Sequence, residues 1–254
     1  MINESYLDNR FLPLEELNIK DCYICGELLG IDTTTDHIIP TSFFRKGDQN
    51  RPKLPVHSTC NNKKSKDDRW CVKFIQFYAG FSVEAKADFK VFMDKAYQEK
   101  SYAYLIGQRN SNYKLAMNLF GNIKPGLEIK SNGEVLRQFT ISSETAQRVN
   151  GWMKLVCRGL YIRNVTLAKP DLPKLQWSQY ALSELKGQDQ QFITPIQRLI
   201  NNSNATSFGQ KWGNRVSYIG SRAAESADNG YIFIHFYRQV GILAGFGLRK
   251  VSRG

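Results

Sequence analysis

Residues 22–37 read CYICGELLGIDTTTDH, and residues 57–64 read HSTCNNKK. These stretches hold two pairs of soft metal ligands, each with two residues between its members: Cys22 with Cys25, and His57 with Cys60. This spacing brings two side chains to one side of a tight turn, and two such pairs complete a tetrahedral Zn²⁺ site. Because the set is closed, we expect the zinc to be structural and to supply much of the folding energy of this turn-rich block.

The alternative interpretation of these residues is that the cysteines are small core side chains. Two ligand pairs in a hydrophilic setting favour the metal, and His57 is the weaker ligand because its pair is HxxC rather than CxxC. The chain has five cysteines, an odd number, and its first residues lack the basic start and apolar stretch of a secretory signal. Both features argue against a disulfide framework and indicate a cytoplasmic protein.

Asp36 and His37 lie between the two ligand pairs and are followed by Ile38-Ile39-Pro40. Hydrolysis of a phosphodiester needs a base to activate water and positive charge to stabilise the transition state. A histidine suits the first need, since its ordinary pKa lies near neutrality. A carboxylate and an amide oxygen suit a hard cation such as Mg²⁺. Asn61 directly follows the proposed ligand Cys60, although capping of a helix could also explain Asn61 or Asn62.

The order CxxC, DHIIP and HxxCN with trailing lysines resembles the HNH endonuclease family, and the similarity covers about 45 residues from Cys22 to Lys66. The resemblance implies a ββα-metal finger held by the structural zinc. It implies that His37 is the general base and that Asp36 and Asn61 bind a catalytic Mg²⁺ or Mn²⁺. Many members carry a third histidine or an asparagine one turn along the helix, where this chain has Lys64 and Ser65.

The formal net charge of the chain is +12, which favours a polyanionic partner over a purely solubilising role. Double-stranded DNA is the first expectation, while cleavage of RNA and a zinc-finger module that binds nucleic acid without cutting it are the alternatives. We expect no membrane association, and a homodimer stays open. The basic residues expected to contact phosphates are Lys63, Lys64, Lys66 and Arg45. For Asp67-Asp68 a solvated helix face is favoured over a second metal site, and His235 is expected to be structural.

The sequence predicts an α+β chain divided into a lead-in (1–20), an HNH finger (21–72) and an accessory domain (73–254). The accessory domain is expected to recognise the substrate or regulate the enzyme, and to be mainly helical with a C-terminal antiparallel hairpin. Helical apolar spacing runs from Trp70 to about Gln108, and further helices are predicted at Asn110–Ile123 and from an N-cap at Ser143.

Strands are predicted in three places further along the chain. A hairpin is expected around Asn132-Gly133. Two strands, Asn214–Ala223 and Tyr231–Phe246, are expected to be joined by a turn at Asp228-Asn229-Gly230, with a break at Gly241. Residues 164–186 are interpreted as mainly loop.

Overall fold

A computed structural model describes residues 17–80, 82–100, 111–129, 135–165, 174–178, 206–223 and 226–246. Within this part the chain is a mixture of helices and antiparallel strands. The helices are α1 (Ser58–Tyr78), α2 (Val83–Lys100), α3 (Asn112–Gly121) and α4 (Ser143–Val165). The strands are β1 (Thr33–His37), β2 (Lys53–His57), β3 (Ile123–Ile129), β4 (Val135–Ile141), β5 (Lys174–Ser178), β6 (Thr206–Trp212), β7 (Val216–Ala223), β8 (Ser226–Phe236) and β9 (Val240–Phe246). None of the helices described is long and apolar enough to cross a membrane.

Strands β1 and β2 form a two-stranded antiparallel ladder that pairs Asp36 with Leu54 and His37 with Lys53. Alternate residues of a strand face opposite sides, so Leu54 and Val56 enter the core from one face of β2. The connection between the strands contains a short 3-10 helix, Thr41–Phe43, and is itself anchored in the core. Fully buried side chains at its start provide that anchor: Ile38, Ile39 and Phe43.

Helix α1 follows β2 without a loop, with His57 as its N-cap. The predicted apolar pattern from Trp70 onward is confirmed, but the helix already begins at Ser58 and ends at Tyr78, before α2. Its second half enters the core through Trp70, Phe74 and Ile75. The predicted helix at Asn110–Ile123 is confirmed as α3, whose N-cap Ser111 accepts a hydrogen bond from the backbone N–H of Lys114. Residues 101–108 of the predicted helical stretch lie outside the described residues, as does most of the lead-in 1–20.

The C-terminal strands form one five-stranded antiparallel sheet in the order β5-β9-β8-β7-β6, so the predicted hairpin accounts for only part of it. The predicted turn at residues 228–230 is wrong, because these residues lie within β8. Strand β7 ends at Ala223 and β8 begins at Ser226, so the two strands are joined earlier than predicted. A second reversal, at Tyr237 and Arg238, divides the predicted strand Tyr231–Phe246 into β8 and β9, whereas the predicted break at Gly241 is wrong because Gly241 lies within β9. The φ angles of Tyr237 and Arg238, 53° and 54°, are the left-handed conformation that tight hairpin turns require. Residues 174–178, interpreted as loop, form β5. The predicted pairing around residues 132–133 is confirmed by β3 and β4, although the turn itself lies outside the described residues.

The sheet is joined to the connection between β1 and β2 by aromatic contacts and one hydrogen bond. Phe43 packs on Phe236 with ring centroids 4.7 Å apart, and Phe44 meets the edge of Trp212 at 5.0 Å. The indole N–H of Trp212 donates to the carbonyl of Gln49 at 2.9 Å. The hydrophobic core is therefore continuous from the N-terminal block to the final strand.

Helix α4 lies across this core. Its N-cap is Ser142 rather than the predicted Ser143, since the Ser142 Oγ accepts from the backbone N–H of Thr145 at 3.1 Å. The predicted buried face is confirmed at four of its five positions: Val149, Met153, Val156 and Leu160. The fifth, Ala146, is only half-buried.

Gly159 lets α4 approach the N-terminal block closely. A Cβ at this position would lie 2.8 Å from the Cγ2 of Ile38 and 2.9 Å from the Cε2 of Tyr23, closer than carbon atoms normally approach. We expect Gly159→Ala to destabilise the zinc-loaded protein by about 1–3 kcal/mol, because overpacking outweighs the gain in helix propensity. The measurement is the urea midpoint. Gly151→Ala on the same helix is the control, since its Cβ would meet nothing within 4 Å. Equal midpoints for the two variants would contradict this packing.

His235 in β8 is 3% exposed, and its Nε2 lacks a hydrogen-bond partner among the described residues. Burial, with a smaller contribution from the charge of Arg238, lowers the pKa of this imidazole from 6.5 to about 4. Between these pH values the unfolded chain binds more protons than the folded protein, so stability falls as the pH drops from 6.5 towards 4. The loss over this window is about 3 kcal/mol.

We expect His235→Phe to remove this part of the pH dependence. The measurement is the difference in unfolding free energy between wild type and variant at pH 7.5 and pH 4.5. The metal ligands titrate in both proteins and cancel in that difference. The same difference at both pH values would show that His235 is not buried in its neutral form.

Candidate metal centre and adjoining clefts

The four residues of the predicted zinc site come together. One ligand atom from each of Cys22, Cys25, His57 and Cys60 lies within 4.8 Å of the others. These residues, named here the four-ligand cluster, are thus close enough to hold a metal ion. Three thiols and one imidazole form a soft donor set that fits Zn²⁺.

A tight turn positions the first two ligands. The backbone N–H of Gly26 donates to the carbonyl of Cys22 at 2.7 Å, and Gly26 has a φ of 84°, which glycine adopts without strain. Burial opposes ionisation of the Cys22 thiol, but backbone N–H groups of Cys25, His57 and Ile24 outweigh it and lower the pKa of Cys22. Such N–H donors stabilise a thiolate, the form that binds metal.

The second two ligands sit at the start of α1. The Nε2 of His57 lies 2.9 Å from the carbonyl oxygen of Leu28, which can only accept, so Nε2 carries the proton. Nδ1 is then free to bind a metal and lies 3.4 Å from the Sγ of Cys25. Burial and the neighbouring thiols raise the pKa of Cys60 to about 12. A bound cation would reverse that effect, as expected for a residue whose partner is a metal.

Tyr23 connects the four-ligand cluster with Asp36. This residue stands between the two cysteines of the first turn, is 1% exposed, and donates its hydroxyl hydrogen to the Oδ2 of Asp36. Burial and the charge of Asp36 raise the pKa of Tyr23 well above 10, so it remains a donor at all physiological pH values. The predicted metal cluster and the predicted catalytic carboxylate are therefore coupled through one side chain.

Asp36 is also paired with Lys64, against expectation. Lys64 was predicted to contact nucleic acid, but it is 2% exposed and its Nζ lies 3.1 Å from the Oδ2 of Asp36. The same Nζ lies 3.0 Å from both carboxylate oxygens of Asp68. Asp36, Lys64 and Asp68 are named here the acid–lysine cluster. Its lysine lies away from the surface on which a phosphate contact was expected.

The solvated helix face that the sequence favoured for Asp67-Asp68 is wrong for Asp68, whose side chain is 16% exposed, while the Asp67 side chain is 39% exposed. Asp68 accepts a hydrogen bond from the Nε1 of Trp152 at 2.6 Å, and burial raises its pKa against the opposing effect of Lys64. Asp67 pairs with the Nε of Arg148 at 2.8 Å. Both carboxylates thus contact α4, Asp68 inside the protein and Asp67 through a partly exposed ion pair.

His37 ends β1 and lies between two clefts. The Asn61 cleft, with a volume of about 330 Å³, contains Asp36, His37 and Asn61 in its lining. Asn62 is exposed and does not line this cleft. Neither asparagine caps the helix, because the N-cap is His57. Of the two candidates, Asn61 is therefore the one that faces the same space as His37.

The Arg51 cleft, on another side of His37, has a volume of about 430 Å³ and is lined with three cationic residues, Arg51, Lys53 and Arg163, against one carboxylate, Asp48. Burial lowers the pKa of His37 below 6.5, and the charge of Lys53 lowers it further against the opposing effect of Asp36. The neutral imidazole therefore predominates at pH 7 and can accept a proton.

Other residues around the clefts differ in how well the sequence indicated them. Arg45, Lys63 and Lys66 are exposed, where a phosphate could reach them. Asp68 carried a usable signal, since it follows Lys64 by one helical turn. Tyr23 and Arg163 were missed. In the sequence Tyr23 cannot be distinguished from an ordinary core aromatic residue. Arg163 lines the Arg51 cleft from α4, and the residues around it in the sequence contain no motif that indicates this role.

His235, expected to be structural, is buried in β8 and lines neither cleft. No protein-family model matches the chain, and none of the curated proteins or solved structures compared with it is significantly similar.

Proposed function

We propose that this protein is an endonuclease that hydrolyses phosphodiester bonds, with a site of the HNH type. The observation that carries the proposal is that Asp36, His37 and Asn61 line one cleft. The four-ligand cluster, here proposed to bind structural zinc, lies at the junction of β2 and α1. The order β1, β2, α1 is the order that a ββα-metal finger requires.

In the proposed reaction a water molecule next to His37 loses a proton to the imidazole. Its oxygen then forms a bond to phosphorus, one P–O ester bond breaks, and the departing oxygen takes a proton from solvent. The half-buried position of His37 favours its neutral form, which a general base needs. Asn61 offers an amide that can position the water or a phosphate oxygen in the same cleft.

The divalent cation expected on Asp36 and Asn61 does not fit the donor set found here. The Oδ2 of Asp36 already accepts a hydrogen bond from Tyr23 and forms an ion pair with Lys64, whose ammonium lies where the positive charge of the cation would be needed. The proposal therefore assigns no step to such a cation. The proposal places the reacting phosphate at His37, which lines both clefts, and assigns the positive charge next to it to Arg51 and Lys53 of the Arg51 cleft.

Nucleic acid is the proposed substrate, with double-stranded DNA ahead of RNA. The net charge of +12 and the cationic Arg51 cleft support a polyanion. We expect Lys53→Ala to weaken DNA binding and to reduce the slope of log K against log salt by about 0.9, the effect of one lost phosphate contact. Fluorescence anisotropy at several salt concentrations measures this slope. Lys114→Ala is the control, because this exposed lysine on α3 lines neither cleft. Identical slopes for the two variants would remove Lys53 from the binding surface.

The decisive experiment is cleavage of supercoiled plasmid, linear DNA and RNA by the zinc-loaded protein. Each substrate is incubated in resin-treated buffer alone and with added Mg²⁺ or Mn²⁺. A chelator is avoided because it would also strip the four-ligand cluster. The proposal expects nicking or cutting that depends on His37. Absence of cleavage under every condition would overturn it, and cleavage of RNA alone would change the substrate.

A second candidate function is a zinc-stabilised module that binds nucleic acid and does not cut it. The observation that favours it is the acid–lysine cluster, which occupies the carboxylate that the HNH family uses for its metal. Intact plasmid in the cleavage assay, together with a mobility shift on the same DNA, would support this candidate over the first.

A further inference from the structure

The side chain of Lys64 is 1% exposed, and its ammonium donates hydrogen bonds to three oxygens: the carbonyl of His37 and both carboxylate oxygens of Asp68. The Oδ2 of Asp36 lies 3.1 Å away, the two carboxylate oxygens of Asp68 lie 3.0 Å away, and the carbonyl of His37 lies 3.2 Å away. An ammonium has three donors, so the hydrogen bonds to His37 and Asp68 saturate it, and the Oδ2 of Asp36 adds an ion pair. A buried charge is retained only when it is paired and hydrogen-bonded in this way.

A hard divalent cation would have to enter the same place. Mg²⁺ requires about six oxygen ligands at about 2.1 Å. At the Oδ2 of Asp36 it would displace the hydroxyl of Tyr23 and meet the ammonium of Lys64. Two cations held a few ångströms apart in a buried setting repel each other strongly. The site as built is therefore satisfied without a metal ion.

The second carboxylate explains why the lysine remains in place. Asp68 lies one helical turn beyond Lys64 on α1, and its position is fixed by the indole N–H of Trp152 on α4. Asp36 lies on β1, so the ammonium joins a strand to a helix. Removal of Lys64 would leave two carboxylates facing a shared space, which is the arrangement that binds a divalent cation.

We infer that the ammonium of Lys64 is the resident cation of the Asp36–Asp68 pair, and that the protein binds no Mg²⁺ or Mn²⁺ at these carboxylates. This inference deepens the proposed nuclease function and rests on it for the role of the cleft. It assigns Lys64 as a positioning residue. It also predicts that hydrolysis, where it occurs, does not require an added divalent cation.

The test is a titration of the zinc-loaded full chain with Mn²⁺. The electron paramagnetic resonance signal of free Mn²⁺ measures how much of the ion is bound. The proteins compared are wild type, Asp36→Asn, Lys64→Met and the double variant Lys64→Met/Asp36→Asn. Wild type and Asp36→Asn are expected to bind Mn²⁺ equally weakly. Lys64→Met is expected to bind it at least about tenfold more tightly, and the double variant is expected to lose that gain.

Wild-type binding of Mn²⁺ that Asp36→Asn abolishes would overturn the inference. This comparison decides the matter even where Lys64→Met fails to fold, since it needs no change at Lys64. Zinc content and circular dichroism of each variant report folding. Lys64→Arg, which keeps the charge, is expected to bind Mn²⁺ as weakly as wild type, and tight binding by it would also count against the inference.

The Mn²⁺-binding result and the cleavage result can be interpreted independently of each other. Cleavage in resin-treated buffer supports both statements. Absence of cleavage in all buffers counts against the nuclease while the binding result still decides the role of Lys64. Cleavage that requires Mg²⁺, together with Mn²⁺ binding lost in Asp36→Asn, upholds the nuclease and overturns the inference.

Discussion

Removal of the metal from the four-ligand cluster is expected to abolish cooperative folding of the N-terminal block. Two ligands stand on the turn at residues 22–26 and two stand at the start of α1, so a bound metal would join these two segments of the block. A structural zinc in isolated fingers contributes roughly 10 kcal/mol, which is comparable with the stability of a whole domain. We therefore expect the single cooperative unfolding transition to be lost, rather than its midpoint temperature to fall slightly.

Cys60→Ser with chelation of residual zinc gives the measurement, by calorimetry and by zinc content. Cys71→Ala is the matched control, because Cys71 is equally a cysteine of α1 and is fully buried, but lies outside the cluster. We expect Cys71→Ala to keep one zinc per chain and to lose about 1–2 kcal/mol through the cavity. Retention of the wild-type transition by zinc-free Cys60→Ser would show that the metal is not structural.

His37→Ala is expected to reduce cleavage by a factor of about 10²–10⁴, the usual contribution of a general base. The imidazole is the group that both clefts share, and its lowered pKa keeps it ready to accept a proton at pH 7. The side chain is not part of the four-ligand cluster, so zinc content and thermal stability should stay near those of wild type. Initial rates of plasmid nicking measure the loss.

Asn61 and Asn62 provide a matched pair for the same assay. Asn61 lines the cleft with His37, whereas Asn62 is exposed and outside it. We expect Asn61→Ala to slow nicking and Asn62→Ala to leave the rate unchanged. Full activity of His37→Ala would refute the proposed mechanism, and equal losses in the two asparagine variants would refute the assignment of Asn61.

The sequence predicted the four-ligand cluster because ligand spacing is a local property. Two residues between ligands define a turn, and the donor type defines the metal, so Cys22, Cys25, His57 and Cys60 needed no knowledge of the fold. The helices with apolar stripes were predicted for the same reason, because the spacing of apolar residues by three and four is visible within one short segment of the sequence. Their limits were less accurate: the polar first half of α1 has no apolar stripe, and its buried residue, Lys64, pairs with Asp36 on β1.

The partners of Asp36 were not predictable, because they depend on how distant segments pack. Lysines near a nuclease-like motif resemble a phosphate-binding surface, and only the fold turns Lys64 inward while Lys63 and Lys66 face solvent. The five-stranded sheet was also underestimated. Strands β5 and β6, KLQWS and TSFGQKW, mix polar and apolar residues without a clear pattern. The largely apolar stretch from Tyr231 to Phe246 contains a turn at two residues other than glycine, Tyr237 and Arg238.

The hydrogen bond from Trp212 to Gln49 bears on whether residues 21–72 could keep their fold when transferred to another protein. A modular cutting unit could be grafted onto another DNA-binding protein and keep its shape. Here the connection that follows His37 is tied to β6 by Trp212, and to β8 by the contact of Phe43 with Phe236. A graft of residues 21–72 alone would lose both ties, so we expect this motif to be inherited and engineered only together with its sheet.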